Sequence, residues 1–161
     1  MAANNTHATA VVLGDRCVMI TGESGSGKTG LALVLIRRFR AKGIFSRLLS
    51  DDQLFLDALP GGQLLCRAPD PIAGLVEIRG FQPSRVAFVG EAVLDMVVRL
   101  VDSENAPRFQ EALPQPMFGT TIACLDLPLR DVQGAAQAVE AWFSLLPFGQ
   151  SGRSSDQNAS K

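Results

Sequence analysis

The chain has 161 residues, 47% hydrophobic and 19% charged, with a formal net charge of −1. That length suits one ordinary domain with its own core and is short for two. The near-neutral balance argues against nucleic acid held through a basic surface. No apolar run is long enough to span a bilayer, and residues 1–9 lack the basic start and apolar stretch of a signal peptide. The expectation is a soluble, cytoplasmic protein with neither membrane nor nucleic acid as partner.

In chain order, the first expected strand covers 8–13. It meets a second, 16–21, through the two-residue hairpin signal Gly14-Asp15. There follows Gly22-Glu23-Ser24-Gly25-Ser26-Gly27-Lys28-Thr29, a complete G-x-x-x-x-G-K-[ST] phosphate-binding loop. Glycines let the backbone turn tightly and aim N–H groups at phosphate oxygens. Lys28 is placed to reach the β- and γ-phosphates and the Thr29 hydroxyl to coordinate Mg²⁺. Residues 30–39 read as a helix leaving the loop, with its positive end toward the phosphates, ending near Lys42-Gly43. Strand, loop and helix occur in the order a P-loop requires.

Residues 46–50 form a short strand that delivers Asp51 and Asp52. An extended segment, 54–59, turns at Pro60-Gly61-Gly62 into 63–66, and Ala68-Pro69-Asp70-Pro71 breaks regular structure. The local structure of 75–80 is ambiguous. Residues 93–101 alternate as a strand with Leu94, Met96, Val98 and Leu100 on one face, helix being the alternative. Pro107 and 113–116 mark a loop, and 120–127 another strand. The clearest amphipathic helix is 131–146, where Val132, Ala135, Ala136, Val139, Trp142, Phe143 and Leu146 follow the 3.6-residue period. Residues 149–161 are polar and small, the composition of a disordered tail. Cys17, Cys66 and Cys124 are scattered and read as small hydrophobes, not as metal or disulfide chemistry.

A phosphate loop that transfers its phosphoryl group needs a carboxylate to orient or deprotonate the attacking hydroxyl. Asp51 and Asp52, adjacent acids at the end of an apolar strand, fit that need, because ligands gather at strand ends in α/β sheets. If 75–80 is extended, Glu77 and Arg79 point to one face, where they could hold Mg²⁺ and neutralise a phosphate. A surface ion pair is the equal alternative. His7, the lone histidine, reads by itself as an idle surface residue.

The P-loop, the acidic pair in Ser50-Asp51-Asp52, and Gly74-Leu75-Val76-Glu77-Ile78-Arg79-Gly80 occur in the order found in bacterial HPr kinase/phosphorylase, and the third segment closely matches that family's signature. His7, in Thr6-His7-Ala8-Thr9, falls where the family carries a histidine ahead of its P-loop. The resemblance covers 6–80 well and the remainder in outline. It implies an α/β fold: a P-loop domain with a mixed β-sheet spanning 1–148, resembling the nucleotide-binding core of phosphoenolpyruvate carboxykinase.

It further implies an ATP- and Mg²⁺-dependent serine kinase acting on the HPr phosphocarrier of the phosphotransferase system. Within it, the loop Gly22, Glu23, Ser24, Gly25, Ser26, Gly27, Lys28 and Thr29 would bind nucleotide, Thr29 and Glu77 would hold the metal, and Asp52, with or without Asp51, would be the general base. His7 would complete the site beside Asp52, and Arg79 would belong to the catalytic set. The family assembles as homohexamers. The chain looks like the short form of alphaproteobacteria, without the family's N-terminal domain. The family's Gly-Arg near 126–131 has no counterpart, so the resemblance implies the kinase direction and leaves the phosphorylase direction open. A further family arginine is matched only by the guess Arg108. Two other readings stay open: a small-molecule P-loop kinase, and a nucleotide-dependent switch without transfer activity.

Overall fold

The computed structural model describes residues 4–144. Strands β1 (Asn4–Thr6), β2 (Thr9–Leu13) and β3 (Arg16–Thr21) precede helix α1 (Lys28–Ala41). Then come β4 (Ser46–Ser50), β5 (Leu54–Ala58) and β6 (Leu64–Arg67), and the short pair β7 (Leu75–Val76) and β8 (Ser84–Arg85). The long strand β9 (Glu91–Val101), β10 (Pro114–Met117), β11 (Thr120–Pro128) and helix α2 (Val132–Trp142) follow.

Among the described residues nine strands form one mixed sheet in the order β1-β5-β6-β9-β3-β2-β4, with β11 also on β9 and β10 on β11. β3 and β11 run parallel to β9, and the other ladders in this sheet are antiparallel. The α/β class and the mixed sheet expected from sequence are therefore what the chain adopts. The β9 ladder is the axis, since strands buried on both faces must be apolar throughout, and Met96, Val97 and Val98 are all fully buried.

Alternation along β2 and β3 splits the core in two. Val11, Leu13, Val18 and Ile20 face the helices, packing with Leu31, Leu35 and Phe39 of α1 and with Ala135, Ala136 and Val139 of α2. Ala10, Val12, Cys17 and Met19 face the other way, into a cluster completed by Leu49, Leu54, Leu56, Leu64 and Cys66. The expected α2 pattern holds as far as Phe143, while Leu146 and the tail 149–161 lie outside the described residues. Asp131 caps α2, its carboxylate accepting from the Gly134 N–H at 3.1 Å. All three cysteines are free and buried.

Two local expectations are corrected. Leu94 does not share a face with Met96, Val98 and Leu100. The β3–β9 register jumps from Cys17↔Leu94 to Val18↔Met96, so Asp95 is an extra residue and Leu94 turns into the other cluster. Asp95 accepts the Cys17 N–H at 2.7 Å, which stabilises that bulge. The loop expected at 113–116 is largely strand: β10 pairs with β11 alone, an edge position where Pro114 and Pro116 are tolerated. In the segment 75–80, which the sequence left ambiguous, the strand ends at Val76. The Phe81 N–H bonds to the Ile78 carbonyl, making a turn through Gly80 at φ 84°.

Candidate phosphate-binding site

β3 ends at Thr21, and the glycine loop carries the chain directly into α1, whose N-cap is Gly27 at φ 105°. A side chain there would be strained in that left-handed conformation, and its Cβ would approach Val132 to 3.5 Å. Gly22 is required for space: a Cβ would come within 2.5 Å of Ser26 Oγ. The first turn of α1 carries no acidic side chain. Its leading N–H groups and positive dipole end are thus left for an anion. Lys28 is buried, its ammonium donating to the Gly22 carbonyl at 2.9 Å and to that of Glu23 at 3.1 Å.

The end of β4 supplies the acids, and the two differ sharply. Asp51 is buried. Its Oδ1 accepts from the Thr29 hydroxyl at 2.7 Å and the Thr9 hydroxyl at 2.9 Å, and its Oδ2 from the Glu77 N–H at 3.2 Å. Asp52 is exposed and lies 3.2 Å from His7 Nε2. It takes φ 67°, and the Gln53 N–H reaches over it to the Asp51 carbonyl at 2.9 Å. That is a γ-turn in its rare, strained form. Backbone strain of this kind clusters at functional sites, where the surrounding structure holds it in place.

Glu77 reaches Asp51 because its loop is moored to β4. The Leu48 N–H bonds to the Ala87 carbonyl and the Val89 N–H to the Leu48 carbonyl. Gly74, at φ 76°, lets the Phe88 ring sit where a Cβ would be only 2.6 Å away. β1 pairs with β5, which holds His7 near the β4 end. A cavity of about 690 Å³ results, lined by Ser24, Gly25, Gly27, Lys28, Thr29, Asp51, Asp52, Glu77 and Arg79, with Leu33, Ile78, Phe81 and Pro83 as an apolar flank.

Of the expected site residues, Ser24, Gly25, Gly27, Lys28, Thr29, Asp51, Asp52, Glu77 and Arg79 line this one cavity. His7 joins through Asp52 and does not line the cavity. Gly22 and Glu23 contribute carbonyls to Lys28. The Thr29 hydroxyl donates to Asp51, and Asp51 in turn accepts the Glu77 N–H, so this carboxylate lies between the two residues expected to hold the metal. Glu77 and Arg79 line the cavity from a turn, not from one face of a strand.

Arg108 is not among the lining residues, and its guanidinium lies over Phe109. Of the basic run at the end of α1, Arg38 is bound to Glu140 and Gln133 of α2. Sequence reasoning missed two residues. Thr9 touches both acids. Arg130 braces the loop, its N–H donating to the Ser26 carbonyl at 2.9 Å and its Nε to that of Gly25 at 3.4 Å.

The donor set fits a nucleotide with a divalent cation. Among the described residues Ser26 Oγ, a buried polar atom held inside the loop, has no hydrogen-bond partner, and an oxyanion there would satisfy it. Thr29, Asp51 and Glu77 are the hard oxygen ligands Mg²⁺ prefers. Among the described residues no helix is long and apolar enough to cross a membrane.

Fold and site together define an α/β domain built around a glycine-rich phosphate-binding loop. The HPr Serine kinase C-terminal domain model matches residues 1–159, and the chain belongs to that family. HPr kinase/phosphorylase of Polaromonas naphthalenivorans is 36% identical over 123 residues, 71% of this chain and 36% of that protein. The Clostridium beijerinckii protein of the same name is 38% identical over 135 residues, 77% of this chain and 42% of its own length. The chain therefore spans well under half the length of these curated relatives. The fold matches the solved Hpr(Ser) kinase/phosphatase of Coxiella burnetii with a TM-score of 0.70 at 24% identity, covering 87% of this chain and 88% of that one.

Proposed function

We propose that this chain is an ATP- and Mg²⁺-dependent protein-serine kinase acting on an HPr-type phosphocarrier of the phosphotransferase system. The observation that carries the reading is the division between the two acids: buried Asp51 accepts three hydrogen bonds beside Thr29 and keeps lone-pair capacity for a cation, while Asp52 is exposed at the cavity and engaged by His7. A buried carboxylate with three donors suits holding a metal. An exposed one at the cavity wall suits proton transfer.

Lys28 and the loop N–H groups bind and orient the phosphates. Thr29, Asp51 and Glu77 hold the cation, which when bound offsets phosphate charge. Asp52 accepts the proton of the incoming serine hydroxyl as the serine oxygen bonds to the terminal phosphorus and the bond from that phosphorus to the bridging oxygen breaks, releasing ADP; His7 fixes the Asp52 carboxylate. Arg79 offers its guanidinium to the charge that develops on the phosphoryl oxygens. Family membership extends the proposal to a homo-oligomer, a hexamer, in a cytoplasmic setting.

The test is incubation with γ-labelled ATP, with and without HPr. Label on an HPr serine is the expected result, and Lys28→Ala should lower the rate by about a hundred-fold or more. Label on a small metabolite would point to a small-molecule kinase, and nucleotide binding with no transfer to a switch; either outcome defeats the proposal.

A further inference from the structure

We infer that Thr9 is the positioning residue that sets Asp52 relative to Asp51. The inference rests on the transfer reading above, and it starts from the hydrogen-bond capacity of one hydroxyl. A threonine hydroxyl has one proton to give and lone pairs to accept with. The Thr9 proton goes to Asp51 Oδ1 at 2.9 Å, and its oxygen accepts the Asp52 backbone N–H at 3.2 Å. One fully buried side chain therefore ties the buried acid to the exposed one.

Topology explains why a hydroxyl is needed at this position. On one edge Thr9 pairs with Ile20 of β3. On the other, the β2–β4 ladder ends at Ala10↔Ser50, and the chain leaves the sheet through Asp51 and Asp52. The Asp52 N–H thus loses its ladder partner where the backbone takes φ 67°. The Thr9 oxygen takes the place of the missing carbonyl and holds that left-handed turn against β2. His7, two residues earlier on the same segment, meets the Asp52 carboxylate at 3.2 Å. The N-terminal approach to β2 therefore grips Asp52 at both its N–H and its carboxylate.

Thr9→Val keeps the branched shape but puts a methyl in place of the hydroxyl, whereas Thr9→Ser keeps the hydroxyl and drops the methyl. Thr9→Val should lower kcat for transfer to HPr by about ten- to a hundred-fold, with KM for ATP within about twofold of the unaltered chain. Thr9→Ser should restore most of kcat. A packing role alone would lower the melting temperature without this split between kcat and KM.

Amide hydrogen exchange at Asp52, measured without substrate, reads the contact itself. It should be slow in the unaltered chain and in Thr9→Ser, and fast in Thr9→Val. A folded Thr9→Val with native kcat, a Thr9→Ser that fails to rescue, or a fast Asp52 amide in the unaltered chain would overturn the inference. The last measurement decides even if Thr9→Val does not fold. Absence of transfer by the unaltered chain would instead strike at the kinase reading, leaving exchange to judge Thr9.

Discussion

Thr29 Oγ1 donates to Asp51 Oδ1 across 2.7 Å, which fastens the start of α1 to the end of β4. The adjacent Asp52 takes no part in that bond, and it faces His7 instead. Two neighbouring carboxylates thus occupy two environments, and the difference can be tested.

Asp51→Asn would place an amide among three hydrogen-bond donors and leave at least one unpaired, costing about 1–3 kcal/mol of stability. Nucleotide titrations should show weaker binding in the presence of Mg²⁺. Asp52→Asn should leave both properties near native and abolish transfer. Normal turnover in Asp52→Asn would remove it as the base.

Asp52→Gly separates strain from function. Glycine occupies φ 67° without penalty, so thermal or urea unfolding should show stability unchanged or raised by up to about 1 kcal/mol. Phosphoryl transfer should be lost. A clear drop in stability would mean that the turn stores no strain.

Arg38 and the buried Glu140 lie 3.1 Å apart, joining α1 to α2. Arg38→Ala would strand a buried carboxylate and should cost about 2–3 kcal/mol in urea unfolding. Replacing both partners with methionine should recover most of that loss, because the uncompensated charge goes with its partner. Failure of the double variant to recover would locate the cost in packing and not in charge.

The Cys17 thiol is held well above the usual 9.0, first by its hydrogen bond with Cys66, then by burial and by the charges of Cys66 and Asp95. A folded-state value raised above the unfolded one makes folding proton-coupled. This contribution is complete below about pH 9 and is lost as pH rises toward the folded value, by at most about 1.4 kcal/mol per pH unit. Urea unfolding at pH 8 and pH 10 should show a steeper loss for the unaltered chain than for Cys17→Ala. Equal slopes would show that the thiol does not contribute.

The phosphate loop was legible in the sequence because it is contiguous. Eight successive residues determine the turn, the cation and the helix start, and no distant contact is needed to define them. The adjacent Asp51 and Asp52 were legible for the same reason, as was α2 from its period to Phe143. The face of β9 was misjudged because the bulge at Asp95 depends on its pairing with β3, and strand periodicity says nothing about a neighbour's register. The strand at Pro114–Met117 was hidden because proline disfavours strands in general, and only the edge position excuses it.

What the sequence alone determined is the chemical inventory: a cradle for phosphate, a lysine, a hydroxyl and a set of acids. What only the tertiary structure decided is the division of labour among them. Which acid is buried and which is exposed depends on hydroxyls and N–H groups arriving from Thr9, Thr29 and Glu77, which lie 42, 22 and 26 residues from Asp51 along the chain. Hydrogen bonding of this kind is a property of neighbours in space, and a linear chain does not specify those neighbours until the sheet has formed.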